Sequence, residues 1–198
     1  MTGFELAFLS ALMGASPTTP TPWFVSDDYP FRAFERRWEG TTIFEVTVDP
    51  SGRPVGCRVD VSSGHEILDE RACAVALKRA KFEPALDDKG NPVYGIYRTR
   101  VAWAIDPENW SQSEAGPDFE VSVNKLPDAA DGPVSVKYAV LVDANGAPVD
   151  CRALTSNFDN VLNDVGCAKI KQDYRKTARL ARGSPVAAVR TAWITFSE

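Results

Sequence analysis

From residue 43 to 48 the side chains alternate. Phe44, Val46 and Val48 fall on one side of an extended chain, with Ile43, Glu45 and Thr47 on the other, the period of two of a half-buried β-strand. A cleaner run places Val134, Val136, Tyr138, Val140 and Val142 on one face. Both runs stop at a turn, Asp49-Pro50-Ser51-Gly52 or Asp143-Ala144-Asn145-Gly146, with Asp where a turn opens and Gly where a left-handed conformation is wanted. A return strand follows, with Val55, Cys57, Val59 and Val61 on the core side and Arg58 and Asp60 opposite. Next, Ser63 and Glu66 have the spacing of a capping box, opening a helix whose apolar stripe is Leu68, Ala72, Val75 and Ala76. Beyond Pro84 and the turn at Gly90-Asn91-Pro92, residues 96–105 alternate again, with Tyr97, Thr99, Val101, Trp103 and Ile105 inward and Arg98 and Arg100 outward. The order β-β-α-β predicts a three-stranded antiparallel sheet covered by one helix, an α+β unit.

The unit occurs twice. Sliding the chain against itself by 94 residues superposes Val46 on Val140, Asp49 on Asp143, Gly52 on Gly146, Cys57 on Cys151, Leu68 on Leu162 and Cys73 on Cys167. Residues 46–74 give 12 identities where chance gives roughly two. Further on, Gly90-Asn91-Pro92-Val93 answers to Gly183-Ser184-Pro185-Val186, and Arg100 and Trp103 are matched to Arg190 and Trp193. The predicted organisation is an N-terminal segment 1–22, a first domain 23–105, a linker 106–117 with Pro and Gly, and a second, degenerate domain 118–198 in which 118–123 adds a short strand.

Composition narrows the functional classes. The 198 residues are 44% apolar and 25% charged, which places the chain among globular proteins, and the 27 acids against 22 bases give no general attraction for nucleic acid. No apolar run approaches the ~20 residues of a membrane-spanning helix. One histidine, His65, is too few for most metal centres or catalytic triads, so the sequence predicts no catalytic residue, metal ligand or cofactor. His65 with Ser62 or Ser63 as nucleophile lacks an orienting carboxylate, and a solvated imidazole in the first helical turn is the simpler reading.

Cys57 and Cys73 are 16 apart, as are Cys151 and Cys167, and there is no CxxC motif. Two closed loops fit better than a zinc site or free thiols, and such bridges persist in an oxidising compartment. Residues 4–15, FELAFLSALMGA, followed by SPTTPTP, have the length and small-residue end of an export signal, though no base precedes them. Both signs predict an exported, periplasmic protein.

Tyr29-Pro30, Ala33, Glu39-Gly40, FEVTVDPSGRPVGCRVDVSSG, Leu68-Asp69, Ala72, Lys81-Phe82-Glu83-Pro84-Ala85 and Gly90-Asn91-Pro92-Val93 together resemble the C-terminal domain of TonB-family proteins. The resemblance covers residues 28–105; the second copy, which has Asn157-Phe158 where Ser63-Gly64 stands, is a degenerate version. It implies a non-catalytic periplasmic module in energy-transducing transport, which captures a peptide of an outer-membrane transporter by pairing it to an open sheet edge. The last strand of each copy is the expected edge, with Arg98, Arg100, Val101 and Trp103 in the first and Arg190 and Trp193 in the second. Two features depart from an energy transducer. A short apolar run and SPTTPTP replace the membrane anchor and long spacer, and Ser26-Asp27-Asp28 replaces the Gln-containing loop before Tyr-Pro. An envelope or cell-wall structural module without energy transduction is the alternative. The basic run Lys169 to Arg182 reads as a solvated helix face, and Trp23, Phe24, Tyr29, Phe31, Phe34 and Trp38 read as a segment packed on the first sheet.

Overall fold

The computed structural model describes residues 12–18, 23–106, 116–127, 130–154, 160–180 and 183–198. Seven strands and two main helices organise them: β1 (Gly40–Val48), β2 (Pro54–Val61), α1 (Glu66–Arg79), β3 (Gly95–Trp103), β4 (Phe119–Ser122), β5 (Val134–Val142), β6 (Pro148–Ala153), α2 (Asn160–Asp173) and β7 (Ala188–Ser197). The class is α+β.

β1 pairs antiparallel with β2 on one side and, from Gly40↔Trp103 to Val48↔Gly95, with β3 on the other. β5 repeats this with β6 and, from Val134↔Phe196 to Val142↔Ala188, with β7. The register corrects one matching made on identities. The partners of Gly40 and Val134 are Trp103 and Phe196, and those of Val46 and Val140 are Tyr97 and Arg190. Arg190 therefore stands where Tyr97 does, and Phe196, not Trp193, answers to Trp103.

The expectation of separate three-stranded sheets is also corrected. β3 and β7 meet in parallel at Gly95↔Val189, fusing all strands into one seven-stranded sheet of order β6-β5-β7-β3-β1-β2, with β4 added to β7. Because Gly95 and Val189 share a face and strand side chains alternate, the helices lie on opposite faces. Leu68, Ala72 and Ala76 of α1 pack with Phe44, Val46 and Val48, in a cluster that reaches Ala139 and Val189. Leu162 and Ile170 of α2 pack with Val136, Tyr138, Val140, Ile194 and Phe196 on the other side.

Cys57 is bonded to Cys73 and Cys151 to Cys167, with Cα atoms 5.5 and 5.6 Å apart, so each helix is tied to the outermost strand of its half. Both hairpin glycines have positive φ, 81° at Gly52 and 83° at Gly146. A Cβ on either would meet main-chain atoms of the segment leaving the following helix, 2.1 Å from the Phe82 carbonyl oxygen or 2.7 Å from the Thr177 nitrogen.

Ser63 is not the helix cap. His65 holds the N-cap position with no side-chain bond to the helix, because the Ser63 N–H and the Ser62 hydroxyl are both bonded to the carboxylate of Asp69. α2 ends at Asp173, so of the basic run Lys169 and Lys171 lie on the helix, Arg175 and Lys176 follow it outside any helix or strand, Arg179 stands in a two-residue strand, and Arg182 lies outside the described residues.

Of the segment expected to be a leader, residues 12–18 dock on the fold. Ser16 and Pro17 pair with Glu83 and Phe82, Met13 pairs with Leu86, and Leu12 is fully buried. Residues 1–11, 19–22 and most of the expected linker, 107–115, lie outside the described residues.

Candidate functional site

The expected edge is β3, and its main-chain directions follow from one bond. The Val189 N–H donates to the Tyr94 carbonyl at 2.8 Å, so Tyr94 points its carbonyl away from β1. Direction alternates along a strand, which sends the N–H and C=O groups of Ile96, Arg98, Arg100 and Ala102 the same way, while those of Tyr97, Thr99, Val101 and Trp103 bond to β1. Past Gly95 no strand pairs with this outer side of β3 among the described residues. Of the expected residues, Arg98 therefore offers main-chain groups on the open edge, and Arg100 directs its own to the same side. Val101 and Trp103 are buried, 7% and 3% exposed, and build the strand from its inner side.

A polar chain fixes the far end of this edge. The Trp103 Nε1–H donates to Thr42 Oγ1 at 3.0 Å, and the Thr42 hydroxyl donates to Asp69 Oδ1 at 2.7 Å. Burial pushes the Asp69 pKa up, but hydrogen bonds from Ser62, Ser63 and Thr42 outweigh it and hold the carboxyl below its ordinary value. The indole is boxed by Phe24 and Tyr29, with ring centroids 5.8 and 5.6 Å away. The Tyr29 hydroxyl donates to the Trp38 carbonyl at 2.6 Å.

Asp28 anchors the segment that carries these aromatics. It is 1% exposed, takes the Val25 N–H at 2.9 Å, and is paired with Arg71 at 2.9 Å and with Arg79, both on α1. Desolvation raises its pKa, and the bond from Val25 and the charges of Arg79 and Arg71 lower it further than that, for a net fall. The Ser26-Asp27-Asp28 stretch thus supplies a buried structural carboxylate, a role its polar composition did not signal. Trp23, Phe24, Tyr29 and Trp38 pack on the core as expected, whereas Phe31 and Phe34 are 74% and 53% exposed beside Tyr29. His65 lies stacked on Trp38 at 4.8 Å.

The second expected edge is closed. The Trp193 carbonyl accepts the Asp118 N–H at 2.7 Å, the Trp193 N–H donates to the Asp118 carboxylate at 2.8 Å, and β4 pairs in parallel with Ile194–Ser197. Arg190, expected at this edge, is 2% exposed. Its guanidinium pairs with Glu45 of the first half and donates to the Tyr174 hydroxyl and the Thr177 carbonyl, both at 3.1 Å. Glu45 is in turn held by Arg58 at 2.8 Å.

Residues 26–105, which contain β1, β2, α1 and β3, match the family described as the Gram-negative bacterial TonB protein C-terminal. That stretch is similar to the TonB C-terminal domain. Protein tonB2 of Pseudomonas aeruginosa is 47% identical over 58 residues, 29% of this chain and 21% of that protein. The match thus spans about a fifth of that curated relative's length. No solved structure matches the chain. The matched stretch includes the open edge of β3, Trp103, Tyr29 and Asp28. The chain beyond residue 105, with its closed β7 edge, lies outside the match. No helix among the described residues is long and apolar enough to cross a membrane.

Proposed function

We propose that this protein is a non-catalytic periplasmic interaction module that binds an extended segment of a partner by β-strand addition to β3. The partner it fits is the N-terminal peptide of an outer-membrane transporter, as the similarity to TonB proteins suggests. One observation carries the reading: Arg98 and Ala102 direct main-chain donors and acceptors outward, and no described strand meets them. The rim strands β2 and β6 are poorer templates, since each begins with a proline, has a register shift along its pairing, and carries charges. Residues 118–198 are a second, diverged copy of the unit. With its own closing strand covered by β4, it supports the first copy and does not bind through that edge. The closed edge also favours the alternative of an envelope module without energy transduction, because one usable edge suffices for passive attachment.

The test is a pull-down against extended transporter N-terminal peptides with Ala102→Pro, which removes an outward N–H and leaves the β1 pairing intact. Ala102→Pro is expected to weaken capture by on the order of tenfold or more while retaining the parent's circular dichroism spectrum, and Ala102→Ser to bind as the parent does. Unchanged capture by the proline variant, or no capture by the parent, refutes the proposal.

A further inference from the structure

We propose a second strand-addition site, for an acidic extended segment of a partner protein, in the cleft between the face of β1–β2 and residues 175–180. The cleft has a volume of about 600 Å³. Its position is set by the parallel meeting of β3 and β7, since an approximate two-fold axis between parallel strands carries one half onto the other. The pairings Ala85↔Val93 and Leu86↔Pro92 recur as Ala178↔Val186 and Arg179↔Pro185, so Leu86 corresponds to Arg179.

On the first side of that axis the groove is filled. Met13 and Leu86 exchange two main-chain bonds, each 3.0 Å, and Leu12 and Ala15 are buried beneath, with Ala15 close enough to Gly95 that a Cβ there would lie 2.7 Å from it. On the second side the corresponding place is the cleft. There the Arg179 carbonyl accepts the Thr47 hydroxyl at 2.8 Å, where its counterpart at Leu86 accepts a main-chain N–H. The chain thus displays one occupied copy of the groove and, in the cleft, a second of the same construction. Six residues, the length of the segment 12–17, span ~20 Å when extended.

The chemistry of the occupant follows from the walls. The filled groove takes Leu12 and Ala15 against apolar partners such as Ala139 and Val189. The cleft is lined by Arg58, Arg175, Lys176, Arg179 and Arg190; Arg58 and Arg190 pair with Glu45 and Lys176 with Asp118, which leaves Arg175 and Arg179 with no carboxylate partner among the described residues. Arg175 and Arg179 donate to the main-chain carbonyls of Tyr174 and Gly183. A chain of net charge −5 has gathered a local positive excess at a groove with strand-accepting geometry, which selects alternating carboxylates on an extended backbone.

The test uses the full chain and fluorescent nonapeptides alternating Glu and Thr, read by anisotropy at 50 mM salt. The Glu-Thr peptide is expected to bind, and at least tenfold more tightly than its Gln-Thr counterpart or a version with proline at the centre. Arg175→Glu with Arg179→Glu is expected to cost tenfold or more with the melting temperature unchanged; if that pair perturbs folding, Arg175→Gln with Arg179→Gln replaces it. Absence of Glu-Thr binding overturns the proposal. So does equal binding of the proline peptide, or displacement by inorganic polyphosphate at equal charge concentration, which makes the cleft a charge trap for anionic polymers.

Discussion

Replacing Glu45 by glutamine leaves the Arg190 guanidinium, 2% exposed, without the carboxylate that faces it across the seam between the halves. Removing one partner of a buried ion pair costs about 3–5 kcal/mol, because the remaining charge stays desolvated and unpaired. For a chain of this size each kcal/mol moves the melting temperature by about 2–4 °C, so Glu45→Gln is expected to lower it by on the order of 10 °C. The reverse replacement is milder. In Arg190→Met, Glu45 keeps Arg58, which is 59% exposed and at 2.8 Å, while the Tyr174 hydroxyl and Thr177 carbonyl lose a donor, a loss of about 1–3 kcal/mol. The double variant is expected to lose less than the sum of the singles, with a coupling of about 0.5–3 kcal/mol. Urea and thermal unfolding with both disulfides intact measure all three. If Glu45→Gln stays within about 1 kcal/mol of the parent, or the two effects simply add, the pair does not fasten the seam and the reasoning fails.

Acid stability offers another test. Asp49 is buried and accepts bonds from the Ser51 and Arg53 N–H groups, the Ser51 hydroxyl and the Arg53 guanidinium. Burial raises its pKa, but these bonds win and bring it from 3.8 down to about 2. The folded value lies below the unfolded one, so its contribution, about 2 kcal/mol, is complete above the unfolded pKa and disappears as pH falls towards 2; Asp49→Asn should flatten that part of the stability–pH curve. Reduction should add two hydrogens per bridge to the intact mass, and Cys57→Ser with Cys73→Ser should cost about 3 kcal/mol in denaturant unfolding, with a cost near zero refuting a stabilising cross-link.

What could be read in advance was local. The alternation in β1 and β5, the Asp-to-Gly turns, the stripe on α1 and the matched cysteines each depend on residues a few positions apart, and each lies where the spacing placed it. The meeting of Gly95 with Val189 depends on two strands far apart in sequence, and alternation within a strand says nothing about which strand lies beside it. Arg190 was expected at the second edge from its match to Arg100, whereas Glu45 comes from the other half to neutralise it in a buried pair. Val101 was assigned to the edge by position; the bond from Val189 to Tyr94 shows that the odd-numbered residues of β3 face inward to β1. At Ser63, a longer-range acceptor, Asp69, displaced the local cap.

Both cystine bridges begin and end within one half, and none straddles the Gly95–Val189 boundary. The molecule therefore has a built-in parting line. Tension applied to β3 by a captured strand would meet covalent reinforcement on the outer flank and non-covalent contacts on the inner one: the main-chain meeting, a buried ion pair, the Thr47–Arg179 bond, apolar packing and the clasp of residues 12–18. Under load, the halves would come apart as two intact, stapled pieces before either one unravelled.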